Sequence, residues 1–327
     1  MINFQFVRTS VVKTALGIVS KDAKAAFIAG GTNLVDLMKR GVTAPEKLID
    51  INYLPLKNIE LINNVLHVGA LASNSALAEN VIVKEKFPLL MLALQAGASA
   101  QLRNVATVGG NMMQRTRCGY FYDTTMPCNK RVPGSGCGAI GGYNRMHAIF
   151  GTSESCIAVH PSDMCVALVA LDAKVVIANA KGERKINFID FHRLAGTTPE
   201  KDNNLQKGEL IIRLEIPLSN LNKNFHYLKV RDRSSYAFAL VSVAAALEIK
   251  NGIISDARLA MGGVAHKPWR LIEAENFLKG KTANASNFED AARIAMYGAK
   301  GYGENDFKLK MAPNSIIEAL TVAKAKS

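Results

Sequence analysis

Four of the five cysteines in this chain lie within one window of 39 residues. They are Cys118, Cys128, Cys137 and Cys156, whereas Cys165 lies in an apolar run. Such crowding in an intracellular protein indicates metal or redox chemistry rather than structural disulfides. Structural zinc sites usually contain C-x-x-C pairs, which are absent here, whereas an iron–sulfur cubane takes four thiolates from scattered positions. The pattern favours a [4Fe–4S] cluster; zinc and unliganded thiols are the alternatives.

Basic side chains are concentrated around these cysteines. Between Arg103 and Arg145 there are six basic residues and one acidic residue, Asp123. An iron–sulfur core with four thiolates carries net negative charge. Nearby cations offset this charge and so tune the reduction potential of the cluster. The cations expected to do so are Arg115, Arg117, Lys130, Arg131 and Arg145.

Two glycine-rich segments share one arrangement. FIAGGTNL (27–34) and TVGGN (107–111) each place a glycine pair beside a hydroxyl and an amide. Paired glycines permit positive φ and close backbone approach, so that successive N–H groups can form an anion-binding nest. Two such loops predict a site for the pyrophosphate of a dinucleotide, and ordinary turns are the alternative. The side chains expected to bond its oxygens are Thr32, Asn33, Thr107 and Asn111.

A third glycine pattern is rejected as a cofactor signature. Residues 136–141 match G-x-G-x-x-G. A Rossmann fingerprint follows a buried strand and opens a helix, but a polar Pro-Gly segment precedes this match and no amphipathic helix follows it. The match is therefore attributed to chance.

Composition and charge exclude several classes of protein. The net charge of +13 is spread over the chain, with 24 basic against 17 acidic residues in 1–222 and 16 against 10 in 223–327. No basic tail or basic–aromatic stripe indicates nucleic-acid binding. The longest apolar runs are too short to span a bilayer, and the N-terminus lacks a signal-peptide pattern. We therefore expect a cytoplasmic protein, with export to the periplasm beside a signal-bearing partner as the alternative.

The order of predicted elements indicates an α+β protein. We expect one unit at 1–55, a second at 56–221 that contains a long polar segment at about 112–157, and a third at 222–327 in which strands precede helices. Asn63-Asn64 predicts a hairpin turn, Thr9 or Ser10 a helix N-cap, and Ser315 the start of the last helix.

The motifs together resemble the flavoprotein subunit of the xanthine dehydrogenase and carbon monoxide dehydrogenase family, most closely the FAD subunit of periplasmic aldehyde oxidoreductase. The resemblance covers nearly the whole chain. The segments that carry it are FIAGGTNL (27–34), QLRNVATVGGN (101–111), QRTRC (114–118), PCNKR (127–131), PGSGC (133–137), CIAVHPSDM (156–164), KVRDRSSYAFALVSVA (229–244) and GGVAHKPWR (262–270).

The resemblance implies a fold and a cofactor. The fold would be a two-subdomain FAD-binding fold of the vanillyl-alcohol oxidase (PCMH) type, followed by a C-terminal α+β domain of the CO dehydrogenase flavoprotein type. The residues that it places against FAD are Phe27, Ile28, Ala29, Gly30, Gly31, Thr32, Asn33, Leu34, Thr107, Val108, Gly109, Gly110, Asn111, Asp163, Ile211 and Lys229.

The resemblance also assigns the cysteines and the partners. It makes Cys118, Cys128, Cys137 and Cys156 the [4Fe–4S] ligands, and it leads us to expect alanine where this chain has Cys165. Electrons would pass from a molybdenum-cofactor large subunit through a [2Fe–2S] small subunit to FAD, and then to an external acceptor, in a heterotrimer or its dimer. The aldehyde would be oxidised on the large subunit, and no catalytic residue is assigned to this chain. The cluster could relay electrons, or it could only stabilise the loop that binds it.

Structural alternatives apply to two of these residues, and functional alternatives to the whole chain. Asp163 follows Pro-Ser at a helix start, where an N-cap is the simpler interpretation. Lys229 could lie near the isoalloxazine or be solvated. The chain could instead be a self-sufficient flavin dehydrogenase, or a non-enzymatic iron–sulfur or zinc module.

Overall fold

The computed structural model describes residues 1–326. Its first 50 residues form a small parallel sheet whose strand order is β1-β3-β2. The central strand carries the buried Leu48 and Ile49, and the segments that follow the strands meet at one edge of the sheet. In chain order the elements are β1 (Gln5–Arg8), α1 (Val12–Lys21), β2 (Ala25–Ile28), α2 (Leu34–Lys39) and β3 (Lys47–Asp50).

The start of α1 differs from the prediction. Val11 occupies the N-cap position and makes no side-chain cap. The Thr9 hydroxyl instead accepts a hydrogen bond from the Val11 N–H at 3.1 Å. Thr9 thus stabilises the turn before the helix rather than the helix terminus itself.

The second region contains an antiparallel sheet of five strands in the order β4-β5-β8-β6-β7. Asn63 and Asn64 join the first two strands with φ values of 49° and 61°, so the predicted hairpin is confirmed and has positive φ at both turn residues, as a type I′ turn requires. The strands are β4 (Ile59–Ile62), β5 (Val65–Gly69), β6 (Lys174–Asn179), β7 (Gly182–Asn187) and β8 (Leu210–Pro217).

Eight helices pack around this sheet. The first seven precede β6 and the eighth follows β7. They are α3 (Asn74–Glu79), α4 (Val81–Lys86), α5 (Pro88–Ala96), α6 (Ala100–Val105), α7 (Val108–Met112), α8 (Gly119–Tyr122), α9 (Asp163–Ala170) and α10 (Phe188–Phe191). All eight residues of α9 are buried, because it packs between α5 and the strands of the third region. The helix therefore joins the two regions, and it fixes the position of Asp163 at its first turn.

The third region is an antiparallel sheet of order β12-β11-β10-β9 with helices on one face. Alternate residues of β10 face two different cores: Ala244 and Ala246 face α9 and the second region, and Val243 and Ala245 face the helices. The elements are β9 (Asn224–Val230), β10 (Val241–Lys250), β11 (Ile253–Gly262), β12 (Trp269–Arg270), α11 (Ile272–Leu278), α12 (Ala285–Ala295) and α13 (Lys308–Lys324). The predicted α+β class is confirmed.

Two predictions from local signals were too simple. The last helix begins at Lys308 rather than Ser315 and continues through Pro313, which lies in its second turn and removes only one backbone donor. The polar segment is also less irregular than predicted, because the short helix α8 lies in its first part. Among residues 1–326, no helix combines the length and apolarity that a bilayer crossing requires.

Lys308 anchors α13 beneath the segment that carries the cysteines. Its fully buried ammonium donates to the carbonyl oxygens of His147 at 2.9 Å and Gly263 at 2.7 Å. Burial, together with the positive charge of Arg145, lowers the pKa of Lys308 from 10.5 to about 7. The folded chain therefore releases this proton at a lower pH than the unfolded chain does.

A pH dependence of stability follows. Between about pH 7 and 10.5 the unfolded chain binds the Lys308 proton more tightly, so raising the pH stabilises the folded state. Relative to Lys308→Met, the wild-type free energy of unfolding should rise by up to about 1.4 kcal/mol per pH unit in this interval. Urea unfolding across the interval measures this difference. The exposed Lys310→Met is the control, and a parallel pH profile for wild type and Lys308→Met would contradict the prediction.

Candidate functional site

The first glycine loop follows β2 and presents unused backbone donors. Gly31 has φ of +68°, in the left-handed region that favours glycine. Within residues 1–326, the backbone N–H groups of residues 30–33 donate no hydrogen bond to protein atoms. Adjacent unpaired N–H groups at the edge of a cavity are suited to bind an anion. This loop therefore has the property that the sequence predicted for it.

The second glycine loop works differently from the prediction. Gly109 and Gly110 lie in the first turn of α7, where neither has positive φ. The N–H groups of residues 108–111 are already bonded, to the Ala72 and Ala70 carbonyls and to Thr107. A Cβ at Gly109 would lie 3.1 Å from the Ala70 carbonyl oxygen. Here glycine permits close packing of backbone, and the loop offers no unpaired amide nest.

Both glycine loops nevertheless line one cavity of about 350 Å³. The predicted FAD residues that line it are Phe27, Ile28, Ala29, Gly30, Gly31, Thr32, Asn33, Leu34, Thr107, Gly109, Gly110 and Ile211. Val108 is fully buried in the core instead. Asn111 accepts hydrogen bonds from the Ser162 hydroxyl and from Gln114. The two loops, 80 residues apart in sequence, thus line one concave surface.

Asp163 and Lys229 form a buried ion pair in the structure. The Lys229 ammonium donates to Asp163 Oδ2 at 2.8 Å and to the Ala96 carbonyl at 3.0 Å, and the two side chains are 5% and 7% exposed. The Tyr227 hydroxyl donates to Asp163 Oδ1 at 2.8 Å. The N-cap of α9 is Ser162, with Asp163 as the first helical residue. The alternatives of an Asp163 cap and a solvated Lys229 are therefore wrong.

Asp163 lies at the wall of a second cavity, of about 540 Å³. Arg115 lines the glycine-loop cavity, whereas Thr116 and Arg117 line this one. Asn33 accepts a hydrogen bond from the Arg115 N–H at 2.9 Å, so the segment between the cavities is tied to the first glycine loop. An elongated ligand that contacts both the glycine loops and Asp163 has to pass along this segment.

The four clustered cysteines converge on a third, small cavity. All four line it, together with Lys130 and His147. Cys128 and Cys137 are paired as backbone bridge partners, and His147 Nε2 lies 3.1 Å from Cys118 Sγ. The cysteines are thus brought together by the fold although up to 38 positions separate them in sequence. The crowding of the four cysteines in sequence predicted one shared site, and the structure places all four at one cavity.

Two of the thiols, Cys137 and Cys156, affect each other's ionisation. Their interaction lowers the pKa of Cys137 and raises the pKa of Cys156. Burial raises the pKa of Cys118 to about 11. A metal centre binds thiolates, so it would have to displace protons from Cys118 and Cys156, whereas Cys137 is readily ionised. The donor set, four sulfurs around one space, fits a thiolate-bound cluster or metal.

Lys130 supplies a buried positive charge beside the cysteines. Its side chain is 1% exposed, and its ammonium donates to the Pro199 carbonyl at 2.8 Å and to Asp202. Asp202 also accepts from Arg115 at 2.6 Å. Burial opposes ionisation of Asp202, but Lys130 and Arg115 outweigh it and lower the pKa of this carboxyl.

The other cations predicted to offset a cluster have different partners. Arg131 donates to the carbonyls of Tyr120 and Phe121 and braces the loop. Arg145 pairs with Asp232, outside the cysteine cavity, and Arg117 lines the Asp163 cavity. Of the five predicted cations, Lys130 is the one that lines the cysteine cavity.

Sequence reasoning missed Tyr227, although a signal was present. Tyr227 and Lys229 are separated by two positions in β9, so their side chains lie on the same face of the strand. Because Lys229 contacts the buried Asp163 carboxylate, Tyr227 on the same face of the strand also lies near that carboxylate. No comparable local signal links Lys130 to Asp202, 72 residues away.

Comparison with known families identifies the class of protein. Residues 2–219 match the FAD binding domain in molybdopterin dehydrogenase, and residues 226–320 match the CO dehydrogenase flavoprotein C-terminal domain. The chain belongs to the FAD-binding medium-subunit family of the molybdenum hydroxylases, and it is an oxidoreductase subunit. The expected family and its flavin are confirmed. The unpaired donors at residues 30–33 fit the diphosphate of that flavin.

Individual relatives agree with this assignment. The chain is 45% identical over 327 residues to the aldehyde oxidoreductase FAD-binding subunit PaoB of Escherichia coli, covering 99% of both chains. It is 30% identical to the glyceraldehyde dehydrogenase medium chain of Sulfolobus acidocaldarius, covering 88% of this chain and 85% of that one. A chain of the carbon monoxide dehydrogenase structure from Hydrogenophaga pseudoflava shares the fold, with a TM-score of 0.78 at 24% identity and coverage of 100% and 99%.

Gly30 provides a direct test of the glycine-loop cavity. A Cβ at Gly30 would lie 2.1 Å from the Val105 carbonyl oxygen, so Gly30→Ala must displace backbone at the cavity wall. We expect most of the bound flavin to be lost, together with about 1–3 kcal/mol of stability. Gly17→Ala in α1 is the control, because a Cβ there meets no atom within 4 Å and alanine is the better helix former. Flavin absorbance per chain and thermal unfolding are the measurements. Full flavin content in Gly30→Ala would contradict the assignment.

Proposed function

We propose that this chain is the FAD- and [4Fe–4S]-containing electron-transfer subunit of a molybdenum-dependent aldehyde oxidoreductase complex. The observation that carries the proposal is the shared wall between the cysteine cavity and the Asp163 cavity. Thr116, Cys118, Tyr120 and His147 line both cavities. A cluster in the first cavity and a flavin ring in the second would be separated by little more than these side chains.

The FAD assignment follows the positions of the lining residues. The unpaired amides of the first glycine loop bind the diphosphate, and the second loop closes the cavity from the other side. The flavin end extends toward Asp163 and Lys229, which balance each other's charge. The proposed contacts are residues 27–34, residues 107–111, Asp163, Ile211 and Lys229.

The role of the flavin is electron transfer rather than substrate oxidation. FAD accepts electrons singly and releases one or two, which suits a station between one-electron centres and an external acceptor. This chain's own residues would hold the diphosphate and would place the buried Asp163–Lys229 pair near the ring, and the cysteines line a separate small cavity. Aldehyde oxidation belongs to a molybdenum-cofactor large subunit, and a small [2Fe–2S] subunit delivers the electrons.

The names of two relatives support the substrate class. One is an aldehyde oxidoreductase subunit and the other a glyceraldehyde dehydrogenase chain, and both names specify an aldehyde. The domain division that we propose is 1–55 and 56–221 for the two parts of the FAD-binding unit and 222–327 for the C-terminal unit. Each of the three sheets lies within one of these ranges.

The cluster assignment rests on the four cysteines that share one cavity and on the buried cation that lines it with them. Cys118, Cys128, Cys137 and Cys156 surround one space, and four thiolates are the ligand set of a [4Fe–4S] cubane. Lys130 places a positive charge next to that space, where it reduces the electrostatic cost of burying an anionic cluster.

A cysteine substitution tests the cluster. We expect Cys137→Ser in the full chain to lose most of its iron and acid-labile sulfide, because it removes one of four ligands. Cys165→Ala is the matched control: this thiol is also buried but lies outside the cysteine cavity, so iron and sulfide should be unchanged. Iron and sulfide analysis after anaerobic purification gives the result. One zinc per chain without sulfide would contradict the cluster assignment.

The complex tests the function. With its large and small partner subunits, the chain should show rapid bleaching of the flavin absorption when mixed anaerobically with an aldehyde. The isolated chain, with the same aldehyde and an artificial acceptor, should show no turnover. Turnover by the isolated chain would support a self-sufficient flavin dehydrogenase instead. A chain purified without any flavin would contradict both readings and favour a metal-binding module.

A further inference from the structure

A second group of metal-binding side chains lies beside the Asp163 cavity, which His160 lines. One nitrogen of His160, one nitrogen of His192 and the Cys165 sulfur lie within 4.8 Å of one another, and all three residues lie in the buried interior. The two imidazole ring centroids are 4.2 Å apart. Neither Cys165 nor His192 lines the cysteine cavity, the Asp163 cavity or the glycine-loop cavity.

The hydrogen bonding of His192 leaves one nitrogen with a free lone pair. His192 Nε2 lies 2.9 Å from the Met112 carbonyl oxygen, and a carbonyl can only accept, so this nitrogen carries the proton of the neutral ring. His192 Nδ1 is then an acceptor, and it has no hydrogen-bond partner. Metal-binding histidines show this arrangement, in which a carbonyl fixes the tautomer and the other nitrogen points its lone pair at the ion.

His160 provides a second unpaired nitrogen. Its Nε2 is buried and has no hydrogen-bond partner. A buried polar atom without a partner lowers the stability of the folded state. Both histidines also contribute a ring nitrogen within 4.8 Å of the Cys165 sulfur, so a bound ion could satisfy the unpaired nitrogens.

We propose that His160, Cys165 and His192 bind a single Cu(I) ion. The centre of a triangle with sides of 4.8 Å lies about 2.8 Å from each corner, so small side-chain rotations bring the three atoms to bonding distances of about 2.0–2.3 Å. Soft thiolate and imidazole donors are the ligands that copper prefers. The site needs no fourth ligand, because Cu(I) is stable with three.

Charge favours Cu(I) over a divalent ion. The nearby positive side chains are Lys130, Arg117 and Lys267. The acids that face the site, Asp202 and Asp163, already pair with cations. A divalent ion with one thiolate would leave an uncompensated positive charge in a buried site, whereas Cu(I) with one thiolate is neutral.

Binding displaces a proton and transfers no electron. Burial raises the pKa of the Cys165 thiol to about 12, so the empty site holds S–H. As the Cu–S bond forms, the S–H bond breaks and the proton leaves to solvent, and the two imidazoles stay neutral. Burial lowers the pKa of His192 to about 4, which keeps its lone pair available.

The experiment counts copper on the full-length chain. Anaerobic protein is loaded with Cu(I), challenged with a Cu(I) chelator and analysed for retained copper. Wild type should retain one more copper per chain than Cys165→Ala, whatever the four clustered cysteines take up. Alanine is the residue that the family resemblance leads us to expect at this position, so this variant should fold. Equal retention by wild type and Cys165→Ala overturns the proposal.

Two histidine variants and one spectroscopic measurement complete the test. His192→Gln keeps a donor for the Met112 carbonyl but removes Nδ1, and it should lose the same copper. His226→Gln removes a partly buried histidine in β9 that also has an unpaired Nδ1, and it should retain the copper. The reverse result for either variant overturns the proposal. Copper X-ray absorption on the iron-loaded wild type should show one sulfur and two nitrogens, and an all-sulfur shell overturns it.

Discussion

The ion pair between Asp163 and Lys229 is the interaction on which the arrangement of this molecule depends. A carboxylate and an ammonium are both removed from water at the junction of two sheets, and each satisfies the other. Loss of one partner from such a pair leaves an uncompensated buried charge, which costs about 3–5 kcal/mol. The first turn of α9 and the end of β9 are therefore held in one register. Because α9 is buried along its whole length, that register also positions the cavity wall that Asp163 provides.

The two glycine pairs show that one motif can serve two physical purposes. In the first loop the glycines release backbone amides toward a ligand. In the second, the same residue type lets α7 approach Ala70 closely, while every amide from 108 to 111 is bonded within the protein. A cofactor that contacts both loops can thus accept hydrogen bonds from the backbone amides of the first loop. The second loop offers it only packing contacts.

Local chemistry made part of this structure predictable. Asn63-Asn64 specifies a tight hairpin because both residues tolerate positive φ, and glycine pairs mark places of close approach. Ion pairs between distant residues could not be predicted from local sequence. Lys229 pairs with Asp163 across 66 positions and Lys130 with Asp202 across 72. Spacing along the chain showed that four cysteines are close in sequence, but only the fold shows that their sulfurs surround one space. The shared local pattern already paired the two glycine loops in one predicted dinucleotide site, and the family resemblance added that the dinucleotide is FAD.

Lys130 has a consequence for biosynthesis. It lies between two cysteines of the cluster window, yet its buried ammonium is satisfied by Pro199 and Asp202. Before Pro199 and Asp202 are translated, the Lys130 ammonium lacks these two partners. The cavity that the cysteines line cannot then form with Lys130 buried in its wall. Binding of the proposed [4Fe–4S] cluster would therefore have to follow translation past residue 202 and docking of that segment.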